Sequence, residues 1–314
     1  MSLADKDTIE RAAALLRGGA VVAFPTETVY GLGASAFDAR AVARIFEIKA
    51  RPAFDPLIVH VSDEAMLHDV AASVPALARR LIDAFWPGPL TLVLQKTSRV
   101  PDLVTAGLPT VAVRMPAHPV ARALIERSAV PLAAPSANPF GYLSPTRAER
   151  VAEMLGDRVD MIVDGGPTEH GIESTIIMLE PHPALLRAGA LALEAIEAIT
   201  GPLARELSDV AKPLAPGRLP QHYAPRTPVC VIDAEVAAEH RRGAALLAFR
   251  AAVPGYGAVR VLSPDGDLRE AAAHFFEYLH ELDALGLRRI DAQSVPETGV
   301  GVAIMDRLRR ASHR

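Results

Sequence analysis

The chain has 314 residues, half of them apolar, enough for two domains of ordinary size that each bury a core. With 33 basic and 37 acidic residues the formal charge is −4, so no global pull toward nucleic acid or an anionic membrane is expected. The single cysteine, Cys230, excludes an internal disulfide or a thiolate metal cluster and reads as a small apolar strand residue.

Met1 to Glu10 is charged and lacks the apolar stretch of a secretion signal. No apolar run approaches the roughly 18 residues of a membrane span, so the expected location is the cytoplasm. Short β-branched runs predict strands at Ala20 to Phe24, Leu57 to Val61, Leu90 to Leu94, Thr110 to Arg114 and Ile176 to Leu179. Between them, Asp38 to Lys49 reads as a helix, with Asp38 as its cap and Val42, Ile45 and Phe46 on one face. A second helix over Pro75 to Phe85 places Ala78, Leu81, Ile82 and Phe85 on its buried stripe. Ser144-Pro145-Thr146 predicts a helix start, a hydroxyl accepting from a free amide and proline lacking a donor the first turn does not use, with the helix running to about Leu155.

From Gly201 to Pro228 the pattern weakens under repeated proline, which fixes φ and removes donors. Beyond it, Val229 to Asp233, Ala244 to Phe249, Ala258 to Leu262 and Arg289 to Ala292 read as strands, and Leu268 to Leu285 and Gly301 to Arg310 as helices. The expected organisation is a domain over 1–205, a linker over 206–228 and a smaller α/β unit over 229–314. No internal repeat or low-complexity tract interrupts it.

Several segments could carry chemistry. Pro25 to Gly33 follows a strand and sets hydroxyls beside two glycines, a candidate binding loop in which backbone can approach a ligand. Gly31, Gly33 and Ala36 also match the G-x-G-x-x-A dinucleotide pattern. Against that reading, a polar insert separates strand from glycines, and no acidic residue ends a second strand about 20 residues on. Lys49, Arg51 and Arg114 stand at element ends, where cations reach phosphate or carboxylate oxygens; each alone also reads as a solvated surface charge. Ser136 and Asn138 lie in a proline-bounded loop, placed to bond a ligand or to close a turn. Asp164 to Thr175 pairs glycine turns with hydroxyls, as an anion-binding turn or an ordinary hairpin connection would. His60, inside a strand, reads as a satisfied structural residue or a ligand contact. There is no phosphate-binding G-x-x-x-x-G-K-[ST] loop, no H-E-x-x-H helix and no G-x-S-x-G elbow, so covalent catalysis and structural zinc have no support in the sequence.

Taken in order, PTETVYGLGA, KARP followed by DPLIVHV, FWPGPLTLVL, TVAVRMP, PLAAPSAN, GIESTI and HYAP resemble the YrdC-like threonylcarbamoyl-AMP synthases over nearly the whole chain, in their longer two-domain form. The resemblance implies a twisted mixed α/β sheet with flanking helices and a concave basic groove, followed by a C-terminal Rossmann-like α/β domain. It implies Thr28, His60, Arg114, Ala134 and Ser174 around L-threonine, and Arg51, Asp55, Thr110, Ser136, Asn138, Ser144, Arg187 and Tyr223 around ATP, with Lys49 and Arg51 as the catalytic cations. Two positions depart from the usual pattern. Ala188 stands where proline is usual, and Asp55 where asparagine is commoner; a carboxylate there would repel phosphate unless a metal or Arg51 intervenes.

The implied reaction condenses L-threonine, bicarbonate and ATP into threonylcarbamoyl-AMP and pyrophosphate, with Mg2+ accompanying the ATP and no metal ligands assigned. It rests on positioning and charge neutralisation rather than an enzyme nucleophile. The expected downstream partner is a threonylcarbamoyl-transferase complex acting on tRNA. Gln221, His222 and Tyr223 are expected to fold over the groove as a lid that excludes water. Two rivals remain at this point: an RNA-binding module, since related concave basic faces suit an RNA helix, and a paralogue with altered substrate. Direct RNA contact is compatible with the enzyme as well.

Overall fold

The computed structural model describes residues 2–205, 215–216, 222–233 and 236–313. Most of the linker expected over 206–228, including Gln221 of the expected lid, therefore lies outside the described residues. Among the described residues, no helix is long and apolar enough to cross a membrane.

The β-branched runs fold as read, with ends shifted by at most two residues: Val22–Phe24, Ile58–His60, Leu90–Gln95, Thr110–Arg114 and Thr175–Met178 are strands. They belong to one mixed sheet, in the order Ser2–Leu3, Met161–Asp164, Val22–Phe24, Gly31–Ser35, Leu132–Ala133, Ile58–His60, Thr110–Arg114, Leu90–Gln95, Thr175–Met178, Ala184–Arg187 and Ala204–Arg205. The helix Ala39–Lys49 is capped by Asp38, whose carboxylate accepts from the Arg40 and Ala41 amides, and it buries Val42, Ile45 and Phe46. Ala50 ends it in the left-handed region, turning the chain so that Lys49 and Arg51 both point inward.

Two expectations fail, for different reasons. Gly31 to Ser35 is a buried strand antiparallel to Val22–Phe24, so the expected binding loop stops at Tyr30, before its glycines, and the dinucleotide turn already disfavoured by the sequence is absent there. A Cβ on Gly33 would stand 2.5 Å from the Phe24 ring, so the glycine serves close strand packing rather than ligand approach. The helix expected from Ser144 begins instead at Ala148, with Arg147 before it and no side-chain cap. The chain just upstream is pinned in extended form, the Pro145 carbonyl accepting from Tyr30 N and the Thr146 carbonyl from Thr168 N.

The C-terminal unit is a parallel four-stranded sheet in the order Val229–Ile232, Ile290–Gln293, Ala245–Ala248, Ala258–Val261. Helices Leu268–Ala284 and Gly301–Ser312 cover it, burying Phe275, Phe276, Leu279 and Leu308. Its core runs without a break into Val29, Leu143, Ile172 and Tyr223. Gly171 makes this docking possible: a Cβ there would stand 2.3 Å from the Ala272 carbonyl oxygen of helix Leu268–Ala284. Tyr142 donates to Asp283, and Arg150 pairs with Glu277 at 2.8 Å, across the same interface.

Candidate active site

Residues alternate faces along a strand, so Thr110, Ala112 and Arg114 share one side of the sheet. Parallel pairing sets Ile58 beside Ala112 and His60 beside Arg114. This face is graded. At one end stand His60, Arg114 and the hydroxyls of Thr91 and Ser174, which bond each other at 2.7 Å. Its middle is an apolar band of Ile58, Val93, Ala112, Ile176 and Leu186, covered by Ala215. At the far end Thr110 lines a separate small cavity with Gln95 and Met178.

The polar end encloses about 50 Å³ of free space, room for a few waters. Thr28, Arg51, His60, Arg114, Ala134, Ser136, Ser174, Arg187 and Tyr223 all bound it, with Thr26, Glu173, Pro216 and His222. Five residues expected at the site lie elsewhere. Lys49 sits behind the wall, its Nζ donating to the backbone carbonyls of Ser136, at 2.6 Å, and Asn138. Asn138 closes a turn, its Nδ2 donating to the carbonyls of Pro139 and Tyr142. Ser144 donates to Glu173 Oε1 at 2.6 Å. Asp55 lies behind Arg51, and Thr110 lies four residues along its strand from Arg114, about 13 Å at strand rise.

Arg114 is buried and fully oriented. Its Nε donates to the Gly88 carbonyl, Nη1 to Thr28 Oγ1 at 2.9 Å and Nη2 to Glu27 Oε1 at 2.5 Å. Burial would raise the pKa of Glu27, but Arg114 more than offsets it and holds the carboxyl below the usual range. Arg51 pairs with Asp55 at 2.9 Å and donates to the carbonyls of Asp55 and Pro56. Arg51 thus supplies the counter-charge that the carboxylate at position 55 needs. Burial still pushes the Asp55 pKa up, against the pull of Arg51 and then Lys49. Arg187 donates to both the carbonyl and the hydroxyl of Ser174 and to the Pro216 carbonyl, tying the linker to the sheet.

Burial, then the neighbouring Arg51, drive the Lys49 pKa well below the ordinary lysine value. His60 is pushed down to about 3 by burial and then by Arg114, so it is neutral at physiological pH, and its Nδ1 is buried without a partner among the described residues. His222 is likewise held neutral by burial and the surrounding cations, Arg51 first. The adjoining Tyr223 has φ 60°, a conformation costly for a bulky side chain, and its buried hydroxyl has no hydrogen-bond partner among the described residues.

Sequence reasoning missed Glu27, Glu173 and Arg307 as individual residues. Glu27 and Glu173 stand inside motifs already singled out, PTETVYGLGA and GIESTI. Arg307, fully buried, has no local signature, because its partners Glu173 and Ala188 lie 134 and 119 residues away.

A family model described as telomere recombination matches residues 14–189, and one described as threonylcarbamoyl-AMP synthase, C-terminal domain, matches residues 191–313. The threonylcarbamoyl-AMP synthase of Pyrococcus abyssi is 46% identical over 320 residues, covering 97% of this chain and 94% of that protein. The chain belongs to the threonylcarbamoyl-AMP synthase family. The Bacillus subtilis synthase is 44% identical, with 97% and 92% covered. The crystal structure of P. abyssi Sua5 complexed with L-threonine superposes with a TM-score of 0.91 at 43% identity, covering 97% of this chain and 94% of that one. The synthase is a nucleotidyltransferase that makes threonylcarbamoyl-AMP for tRNA modification, which displaces the readings as an RNA-binding module or a paralogue of altered substrate. The two family models meet at residue 190, ahead of Ala204–Arg205, which still pairs with Ala184–Arg187 in the larger sheet.

Proposed function

We propose that the polar end of the concave face holds L-threonine against the α-phosphate of ATP. The observation that carries this reading is buried charge. Three buried guanidinium groups, Arg51, Arg114 and Arg187, bound the cavity, while Glu173 is the single carboxylate among its lining residues, so the wall presents more positive than negative groups to a bound anion. Arg114 has one free N–H on each terminal nitrogen, the fork that a threonine carboxylate takes in bidentate fashion. Neutral His60 offers Nδ1 as an acceptor to the threonine hydroxyl or ammonium. Thr28, Ala134 and Ser174 complete that subsite.

Arg51, Ser136, Arg187 and Tyr223 would receive the phosphates, with Lys49, Asn138 and Ser144 bracing the walls. The base would lie over Ile58, Ala112 and Leu186 with its end toward Thr110, on the surface that Ala215 now covers. The threonine amine attacks bicarbonate carbon, giving carbamate and water. A carbamate oxygen then attacks the α-phosphorus and pyrophosphate leaves. Holding two anionic reactants together is the cations' contribution. His222 and Tyr223 close the cavity and shield the mixed anhydride from water.

Among the described residues no three of His, Cys, Asp or Glu gather as a metal cage. Mg2+ therefore fits this reading as a companion of the ATP phosphates, the usual mode for that ion, rather than as a resident metal. The same reading has the enzyme working in the cytoplasm and passing its product to a transferase complex on tRNA.

Pyrophosphate release measured with threonine and bicarbonate each omitted tests the reaction. Arg114→Ala should raise the KM for threonine at least tenfold, and Arg51→Ala the KM for ATP. Unchanged threonine dependence in Arg114→Ala would refute the clamp.

A further inference from the structure

Arg307 is the largest fully buried side chain among the described residues, and it comes from the helix Gly301–Ser312 of the C-terminal domain. It crosses into the first domain. Its Nε and Nη2 meet Glu173 Oε2 at 3.2 and 3.1 Å, and Nη1 donates to the Ala188 carbonyl at 2.6 Å and to its own neighbour Asp306 at 3.1 Å. The guanidinium also lies over the Tyr223 ring, 5.2 Å from its centroid. Glu173 and Tyr223 both bound the cavity; Arg307 does not.

We propose that Arg307 is a positioning residue for the active site, by which the C-terminal domain neutralises Glu173 and holds the Tyr223 lid closed. The physical need is specific. Glu173 is a carboxylate on the wall of a cavity meant for phosphates, where an unpaired negative charge would repel the nucleotide. Arg307 cancels that charge while leaving Glu173 Oε1 to accept from Ser144 and so orient its hydroxyl. Tyr223 meanwhile occupies a left-handed backbone conformation that persists only where packing holds it. Its ring is held by Phe276, at 5.6 Å, and by the face of Arg307, both from the C-terminal domain. One guanidinium therefore sets both the charge of the wall and the shape of the lid.

The inference rests on ATP occupying this cavity, and the test separates the two. Arg307→Met, Arg307→Lys and the double variant Arg307→Met with Glu173→Gln are compared with Arg51→Ala, at a temperature where thermal unfolding shows each folded. The quantities read are the KM values for ATP and threonine and the ratio of AMP to threonylcarbamoyl-AMP released. Arg307→Met should raise the KM for ATP about tenfold and increase AMP release, with threonine KM within about twofold of the parent. Adding Glu173→Gln should recover most of the ATP KM but not the AMP leakage, since the amide needs no counter-charge while the lid still lacks its platform. A purely structural role would lower the melting temperature and leave the ATP KM alone. A folded Arg307→Met with parental ATP KM and leakage overturns the inference, as does a double variant whose ATP KM is no better than that of the single one. Where Arg307→Met does not fold, Arg307→Lys decides, because it keeps the charge and loses the fork and the planar face: raised leakage supports the role and parental leakage ends it. If Arg51→Ala also leaves ATP KM unchanged, the nucleotide reading itself falls; if Arg51→Ala raises it and the Arg307 variants do not, only the inference falls.

Discussion

Replacing Glu27 by glutamine isolates the charge that stands behind Arg114. Glu27 accepts from Nη2 of Arg114, is 3% exposed and does not bound the cavity. Glutamine keeps an acceptor in the same place and removes only the negative charge. A buried cation losing its partner costs about 3–5 kcal/mol, and the retained hydrogen bond returns part of that, so the ligand-free protein should lose about 2–3 kcal/mol. The carboxylate of L-threonine can supply the missing counter-charge on the other side of the guanidinium. Threonine should therefore stabilise the glutamine variant by about 1–2 kcal/mol more than the parent, which corresponds to roughly tenfold tighter binding. The assay is urea unfolding with and without saturating L-threonine. A threonine-induced gain equal to or smaller than the parent's would refute the reasoning: either Arg114 does not meet the carboxylate, or Glu27 itself takes the ammonium.

Two further outcomes are expected. His60 has a folded pKa of about 3 against an ordinary value of 6.5, so between those pH values the unfolded chain binds the extra proton. Stability therefore rises with pH through that window, levels off above it and is lost as pH falls; His60→Gln should flatten the slope of unfolding free energy by up to about 1.4 kcal/mol per pH unit near pH 5, and an unchanged slope would show that His60 is already protonated in the native protein. Thr110→Ala should raise the KM for ATP by about two- to tenfold, the worth of one hydrogen bond, with no change for threonine; parental ATP kinetics would mean that the nucleotide does not extend along the strand to that end.

What was legible in the sequence followed local chemistry. Thr110–Arg114 was read to the residue because three of the five residues in Thr-Val-Ala-Val-Arg are β-branched and the run begins after Pro109. Asp38 announced its helix because a carboxylate before an apolar stripe caps the free amides in any context. Gly31–Ser35 was hidden because its composition suits a loop, and its glycines are explained only by the ring of Phe24 on the neighbouring strand. Ser144 failed as a helix cap because long-range backbone bonds hold the next residues extended, the Pro145 carbonyl accepting from Tyr30 N and the Thr146 carbonyl from Thr168 N. The site residues came from recognising ordered motifs, since a lone strand histidine or a lone S-x-N carries little information. Their division into cavity wall and supporting layer, with Lys49 and Asn138 behind Ser136, depends on tertiary contacts that no spacing encodes.

The supporting layer matters because an anhydride-forming site has two conflicting requirements. Its cations must be strong enough to hold a carbamate against a triphosphate, which favours removing them from water, yet buried like charges repel one another and resist burial. The protein meets this by giving several of the cations a carboxylate placed away from the cavity or at its edge: Glu27 behind Arg114, Asp55 behind Arg51 and Glu173 against Arg307. Each pair orients a guanidinium through the carboxylate and leaves other N–H groups for further contacts. Arg187, which has no carboxylate ion pair among the described residues, is held by the carbonyls of Ser174 and Pro216 instead, so a linker residue fixes one of the cavity's cations. On the proposed reading, in which His222 and Tyr223 close the cavity, moving the linker to admit ATP would also loosen Arg187 and weaken the field that the chemistry requires.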